Sequence, residues 1–164
     1  GVLLVGCSRL APGGRLLAWN VDELHEAMGL IILGMTAVTG AACGWMDARQ
    51  DAALIAAGNA IDHADGLSER AAICVVLSAL FTVIGERVGE TWWFALPVIG
   101  VWAGSFGIVF RWSLNRMRGL EWDYVSSSNR YDTLFIGLFG KLAGAMEYAV
   151  EGAVMTVPAL IYYL

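Results

Sequence analysis

Long apolar segments alternate with short polar ones along most of this 164-residue chain. The segment from Ala27 to Met46 holds no charged residue. A helix of about 20 residues, rising 1.5 Å per residue, crosses a hydrocarbon core of roughly 30 Å. A second long segment runs from Thr91 to Trp112, with tryptophans at both ends, where aromatic residues favour the membrane interface. Both segments predict transmembrane helices.

The remaining apolar segments are less regular. The polar run Asp47–Asp51 predicts a turn after the first span, and Ala52–Ile61 is too short to cross a membrane alone. It could cross only if its helix continued into the following acidic stretch. Ala71–Gly85 is another apolar run, which ends at a charged stretch.

The C-terminal part is apolar from Leu134 to Leu164, which is too long for one helix. It predicts two short helices that break near Gly152 or Pro158, because glycine and proline interrupt helices. The motif Gly140-x3-Gly144 would allow a helix to approach a neighbour closely. These segments together predict five or six transmembrane helices.

Composition agrees with this pattern. The chain is 58% hydrophobic and only 15% charged, with a mean hydropathy of +0.63, whereas soluble domains carry roughly 25% charged residues. The predicted fold class is therefore all-α, a polytopic integral membrane helical bundle. We expect residues 1–21 to form an interfacial N-terminal segment and residues 22–164 to form the bundle. A net charge of -5 argues against nucleic acid as a partner.

The arginines predict an orientation, because cytoplasmic loops of membrane proteins are enriched in basic residues. With six helices, most arginines fall on one side and Arg49 falls on the other. We expect an integral protein of a bacterial or archaeal cytoplasmic membrane, with its basic loops and the stretch around Asp62 facing the cytoplasm.

The densest charge lies between Ile61 and Arg70. On a helix, Asp62, Asp65 and Glu69 would share one face, and oxygen ligands on one face suit Mg²⁺ or Mn²⁺. The alternative is a solvated loop between two helices.

Two pairs of glutamates have helical i, i+4 spacing: Glu86 with Glu90, and Glu147 with Glu151. Ionisable residues within membrane segments are costly and mark functional sites by default. Alternatively, the first pair caps a helix end at the far interface, and the second lies at a helix–helix turn on the membrane surface.

The run Asp62-x2-Asp65-Gly66-x2-Glu69-Arg70 resembles the opening of the CDP-alcohol phosphatidyltransferase signature, D-x2-D-G-x2-A-R. The stretch Phe81–Glu90 is similar in its pattern of residue types to the second half of that signature, G-x3-D-x3-D. Glu86 would take the place of the last aspartate if one residue is missing between the two halves, and the third aspartate would fall at Thr82 or Val83.

The resemblance implies transfer of a phosphatidyl group from a CDP-linked lipid to an alcohol, with release of CMP. It implies a magnesium- or manganese-dependent transferase of phospholipid biosynthesis. The implied roles are metal binding by Asp62 and Asp65, close nucleotide approach at Gly66, diphosphate binding by Arg70, acceptor binding by Arg111 and Arg130, and proton abstraction by Glu86.

Two other functions are compatible with the sequence. One is a non-catalytic membrane subunit that scaffolds a larger complex, which the glycine- and alanine-rich helix faces and the missing third aspartate favour. The other is an ion- or proton-conducting bundle that uses the two glutamate pairs. Expected partners are membrane lipids and either a second copy of the chain, as a homodimer, or the other subunits of a membrane complex.

Overall fold

The computed structural model of the protein describes residues 21–59, 63–127 and 130–164, and the regular elements in these ranges are all helical. The predicted all-α class is thus confirmed. The α-helices are α1 (Val21–Ala56), α2 (His63–Arg87), α3 (Ala95–Met117), α4 (Arg130–Phe139) and α5 (Ala143–Tyr163). Short 3-10 turns at Trp92–Phe94 and Gly140–Leu142 precede α3 and α5. The interfacial segment predicted for residues 1–21 lies outside the described ranges, except for Val21, which begins α1.

Within these ranges, four helical segments are long and apolar enough to cross a membrane, and five or six are not confirmed. They are Glu23–Ala56, Ser68–Arg87, Trp92–Met117 and Tyr131–Tyr163. The last segment contains a break. At 1.5 Å per residue, α5 is about 31 Å long and can span the core alone, whereas α4, at about 15 Å, cannot.

Successive spans run in opposite directions. Arg70, near the start of α2, contacts Asp47 and Asp51 of α1, so the end of α1 lies beside the start of α2. Glu90, which follows α2, accepts a hydrogen bond from Tyr162 near the end of α5. We call the end with the starts of α2 and α5 the arginine end, and the opposite end the tyrosine end.

Glycines allow α3 to pack closely against α1 and α5. A Cβ atom on Gly44 of α1 would lie 2.5 Å from the Phe106 carbonyl oxygen of α3. A Cβ atom on Gly104 of α3 would lie 2.5 Å from the Glu151 carbonyl oxygen of α5. Both contacts are tighter than any side chain allows, so the backbones touch only because these positions are glycine.

The Gly140-x3-Gly144 motif does not serve the helix contact that it predicted. A Cβ atom on Gly140 would meet nothing within 4 Å. Gly144 instead lies against the backbone carbonyl of Asp123, in the loop that follows α3. Close helix approach in this bundle therefore uses other glycines.

The turn predicted at Asp47–Asp51 is wrong, because α1 continues without interruption to Ala56. Asp47 and Asp51 lie one turn apart on the same face, and both bind Arg70. These acidic residues thus form a surface that binds α2. The predicted separate segment Ala52–Ile61 begins as the last turn of α1.

The break predicted near Gly152 or Pro158 is also misplaced. Helix α5 runs through both residues, and the chain turns at Gly140, which has a φ of +54°. Such a backbone conformation favours glycine, because it has no Cβ atom.

Pro158 lies within α5 and packs against α3. Proline has no N–H, so it leaves the Val154 carbonyl without its usual helical partner. That carbonyl faces Gly100, where a Cβ atom would lie only 2.5 Å away. The helix tolerates the proline because the neighbouring helix covers this position.

The helix order also corrects the predicted position of Arg49. Because α1 passes through its polar run, Arg49 lies at the same end as Arg70. The arginine end collects most of the described basic residues: Arg49, Arg70, Arg111, Arg116, Arg118, Arg130 and Lys141. Arg87 lies at the tyrosine end, and Arg9 and Arg15 fall outside the described residues.

Candidate functional site

Arg70 links α1 to α2 at the arginine end. Its Nε atom lies 2.6 Å from Asp47 Oδ2, and its Nη2 atom lies 3.2 Å from Asp51 Oδ2. The guanidinium also lies 4.7 Å from the centre of the Phe110 ring and 5.8 Å from that of Phe106. The two ring distances are those of a cation–π contact. Two carboxylates of α1 and two aromatic rings of α3 therefore hold this side chain in place.

Arg111, the residue after Phe110, makes a second ion cluster with α5. Its Nη1 atom pairs with Glu147 Oε2, and its Nη2 atom donates to Glu151 Oε1 at 3.4 Å. Glu147 is completely buried. Gly107 makes room for the cluster, since a Cβ atom there would lie 2.8 Å from Glu151 Oε1.

Each cluster holds two carboxylates and one guanidinium. Glu147 Oε1 is buried without a hydrogen-bond partner, and the nearby start of α4 adds another buried carboxylate, that of Asp132. Removing charge from water is costly unless it is paired. The excess of carboxylate oxygens over guanidinium groups disfavours the binding of a further anion at this cluster.

Hydrogen bonds hold the loop after α3 in place at the arginine end. Buried Asn115 donates through Nδ2 to the carbonyl oxygens of Trp122, at 3.2 Å, and Tyr124, at 2.9 Å. The hydroxyl of Tyr148, on α5, donates to the same Trp122 carbonyl at 2.9 Å. These bonds hold the loop beside the Arg111 cluster.

For the other predicted residues of the site, the structure describes at most the position along a helix. Asp65 and Gly66 lie in the first turns of α2, and Arg130 is the first residue of α4. Their side chains, and the whole of Asp62, lie outside what the structure describes. The starts of α2 and α4 nevertheless belong to the arginine end, as do Arg70 and Arg111. Among the described side chains, no group of three or more His, Cys, Asp or Glu could hold a metal ion.

Glu86 lies apart from these residues. It is exposed in the last turn of α2, at the tyrosine end. Because α2 is continuous, Glu86 is about 24 Å along the helix axis from Arg70, at 1.5 Å per residue. Thr82, at one possible position of the third aspartate, donates its hydroxyl to the Ser78 carbonyl at 2.7 Å.

Glu90 belongs to a separate cluster at the tyrosine end. Tyr162 donates its hydroxyl to Glu90 Oε2 at 2.6 Å, and the Thr91 N–H donates to the Tyr162 hydroxyl at 3.2 Å. A Cβ atom on Gly29 of α1 would collide with Glu90 and Tyr163. The two glutamate pairs thus lie at opposite ends of the bundle.

Sequence reasoning missed Asp47 and Asp51 as site residues, although their i, i+4 spacing was a usable signal. It noted Glu147 and Glu151 by that spacing and Arg111 by resemblance, but it did not join them. A pair of carboxylates one turn apart on an apolar helix suits a guanidinium on a neighbouring helix.

The chain has no match among protein-family models, curated proteins or solved structures.

Proposed function

We propose that this chain is a divergent membrane protein of the CDP-alcohol phosphatidyltransferase type. It would transfer a phosphatidyl group from a CDP-linked lipid to an alcohol and release CMP. The observation that supports this proposal is the shared position of Arg70, Arg111 and the starts of α2 and α4 at the arginine end. The sequence resemblance assigns nucleotide and acceptor binding to these same segments.

The sequence resemblance implies a divalent cation at the start of α2. In the proposal, Asp62 and Asp65 hold Mg²⁺ or Mn²⁺, and Gly66 leaves room for the nucleotide. The metal, when bound, would neutralise the diphosphate and make CMP a better leaving group. Arg70 and Arg111 each already pair with two carboxylates. In the proposal they bind phosphate groups only when these replace the carboxylates.

The proton acceptor in this proposal differs from the one that the resemblance implies. Glu86 is too far along α2 to serve the arginine end of the same chain. Glu69 is exposed and lies one helical turn after Asp65. We therefore propose Glu69 as the base that takes the proton of the acceptor hydroxyl.

The test is CMP release from a CDP-linked diacylglycerol by the purified protein in nanodiscs, with Mg²⁺ or Mn²⁺ and a panel of alcohols. Asp65→Asn should abolish release, and Glu69→Gln should reduce it by about 10²-fold or more. Glu86→Gln is the matched control and should retain activity. No release with any alcohol, together with no binding of the CDP-lipid, would exclude the transferase. Loss in Glu86→Gln but not in Glu69→Gln would reverse the assignment of the base.

A second candidate is a non-catalytic subunit that scaffolds a membrane complex. It is favoured by the ion pairs of Arg70 and Arg111, which link neighbouring helices and pair each guanidinium with two carboxylates. This function predicts stable partners that co-purify with the protein, and an assembly indifferent to Asp65→Asn.

The proposed orientation places the arginine end in the cytoplasm. The support is the concentration of basic residues at that end, which membrane proteins favour on the cytoplasmic side.

A further inference from the structure

A groove of about 670 Å³ opens between α1 and α5, in the half of the bundle nearer the tyrosine end. Leu30 and Ala37 line it on α1, Ala159 lines it on α5, and the buried Val101 of α3 lies between them. Glu26 and Tyr163 lie at its polar end. Thr156 also lines the groove, but its hydroxyl donates to the Gly152 carbonyl at 2.8 Å. The groove is therefore mostly apolar, and its ionisable side chains lie at one end only.

Its length matches one leaflet of a bilayer. The lining positions of α1 follow one helix face from Glu26 to Ala37. At 1.5 Å per residue they extend about 16 Å along the axis. This distance is about half of a hydrocarbon core of roughly 30 Å. A lipid with one acyl chain in the groove would thus have its headgroup at the membrane interface and the end of that acyl chain near the midplane.

The polar end is acidic. Glu26 is exposed there, and the Glu90 carboxylate lies close by, bound to Tyr162. Glu86 is also exposed at this end of the bundle, on α2. Two basic residues lie at the same end, Arg87 at the end of α2 and His25 against Gly89, and neither lines the groove. The field at the opening therefore favours a positively charged group over a phosphate without one.

We propose that this groove binds one acyl chain of a phospholipid whose headgroup carries a primary ammonium, with the ammonium at Glu26. The apolar walls hold the chain by the area that it buries, and the carboxylate selects the headgroup by charge. The groove lies at the other end of the bundle from the proposed transfer site. The proposal therefore does not depend on the transferase.

Native mass spectrometry of the detergent-purified protein can test this proposal. The protein is incubated with equal amounts of phosphatidylethanolamine and phosphatidylglycerol, and the lipids that remain bound are counted. We expect one retained lipid, with phosphatidylethanolamine in excess. Glu26→Gln should keep the bound lipid but reduce the preference by up to roughly fivefold, which is the effect of one exposed charge pair.

Ala37→Phe should fill the groove and prevent retention of both lipids. Val38→Phe is the matched control, since the neighbouring Val38 is 69% exposed and does not line the groove. Both variants must keep the thermal stability of the parent. Equal retention in Ala37→Phe and Val38→Phe would overturn the site, and a preference for phosphatidylglycerol would overturn the headgroup. A protein partner that displaces the lipid and requires Ala37 would show that the groove binds a protein segment instead.

Discussion

At the scale of single residues, Arg111 of α3 pairs with two carboxylates of α5. It neutralises part of the charge of Glu147 and Glu151, both inside a segment that is long and apolar enough to span a membrane. Lipid offers no water to replace a missing partner. The cost of losing Arg111 is therefore set by the carboxylates left behind rather than by the ion pair itself.

Arg111→Leu should destabilise the protein by about 3–5 kcal/mol, because it leaves buried carboxylates without a cation. Arg116→Leu removes the same charge from an exposed position of the same helix, and should change stability by no more than about 0.5 kcal/mol. Unfolding in detergent, followed by tryptophan fluorescence, measures both. Similar losses in the two variants would show that the Arg111 cluster is not buried as described.

Tyr162→Phe should lower the free energy of unfolding by about 1.5–3 kcal/mol, since it removes a 2.6 Å hydrogen bond to the Glu90 carboxylate at the tyrosine end. Tyr124→Phe is a control on an exposed tyrosine in the loop after α3. The same unfolding measurement compares them. If Tyr162→Phe were as stable as the parent, Glu90 would have to be solvated rather than bound to α5.

At the scale of helices, small residues determine which surfaces meet. Gly44 and Gly104 each place a backbone carbonyl of the next helix where a side chain would otherwise be. The same backbone approach brings Glu151 over Gly107 and within reach of Arg111. The close approach of α5 to α3 thus accounts both for the tight backbone packing and for the buried ion cluster.

Gly104→Ala should destabilise the contact between α3 and α5 by about 1–3 kcal/mol, the usual cost of overpacking. The added methyl would lie 2.5 Å from the Glu151 carbonyl oxygen. In Gly152→Ala, on α5, the methyl meets nothing within 4 Å. That control should be neutral or stabilise the helix by up to about 1 kcal/mol. Thermal melts of the two variants should therefore shift in opposite directions or differ clearly in size.

The sequence predicted the helical membrane class but not all the helix limits. Hydropathy finds spans because lipid demands apolar length. It failed at Asp47–Asp51, where the charges looked like a turn but bind Arg70 from another helix. It also failed at Pro158, whose missing hydrogen bond is tolerated beside Gly100. In both cases the deciding contact comes from a residue distant in sequence.

The candidate site was predictable to a similar degree. The motif placed Asp65, Gly66 and Arg70 on one segment, which the structure describes as the beginning of α2. It could not show that this segment continues as one unbroken helix beyond Ala71. That continuity separates Glu86 from Arg70, and only the folded chain reveals it.

At the scale of the whole molecule, the two ends differ in chemistry. The arginine end holds two clusters in which guanidinium groups meet pairs of carboxylates. The tyrosine end has exposed glutamates and an apolar groove that begins at Glu26. A reaction at the arginine end and lipid binding at the tyrosine end could therefore operate in different leaflets without sharing a residue.

This arrangement requires α2 to cross the membrane once, so Glu69 and Glu86 should be accessible from opposite sides. With the native cysteines replaced by serine, Glu69→Cys and Glu86→Cys can be labelled in sealed vesicles by a membrane-impermeant maleimide. Each should react from one side only. Arg118→Cys, in the loop after α3, should react from the same side as Glu69→Cys.

Labelling of Glu69→Cys and Glu86→Cys from one side would mean that α2 does not cross, and would return Glu86 to the candidate site. Labelling from opposite sides would exclude Glu86 of the same chain from any step at Arg70. The base would then have to come from the arginine end, where Glu69 is exposed. The topology measurement therefore limits the choice of catalytic carboxylate before any substrate is known.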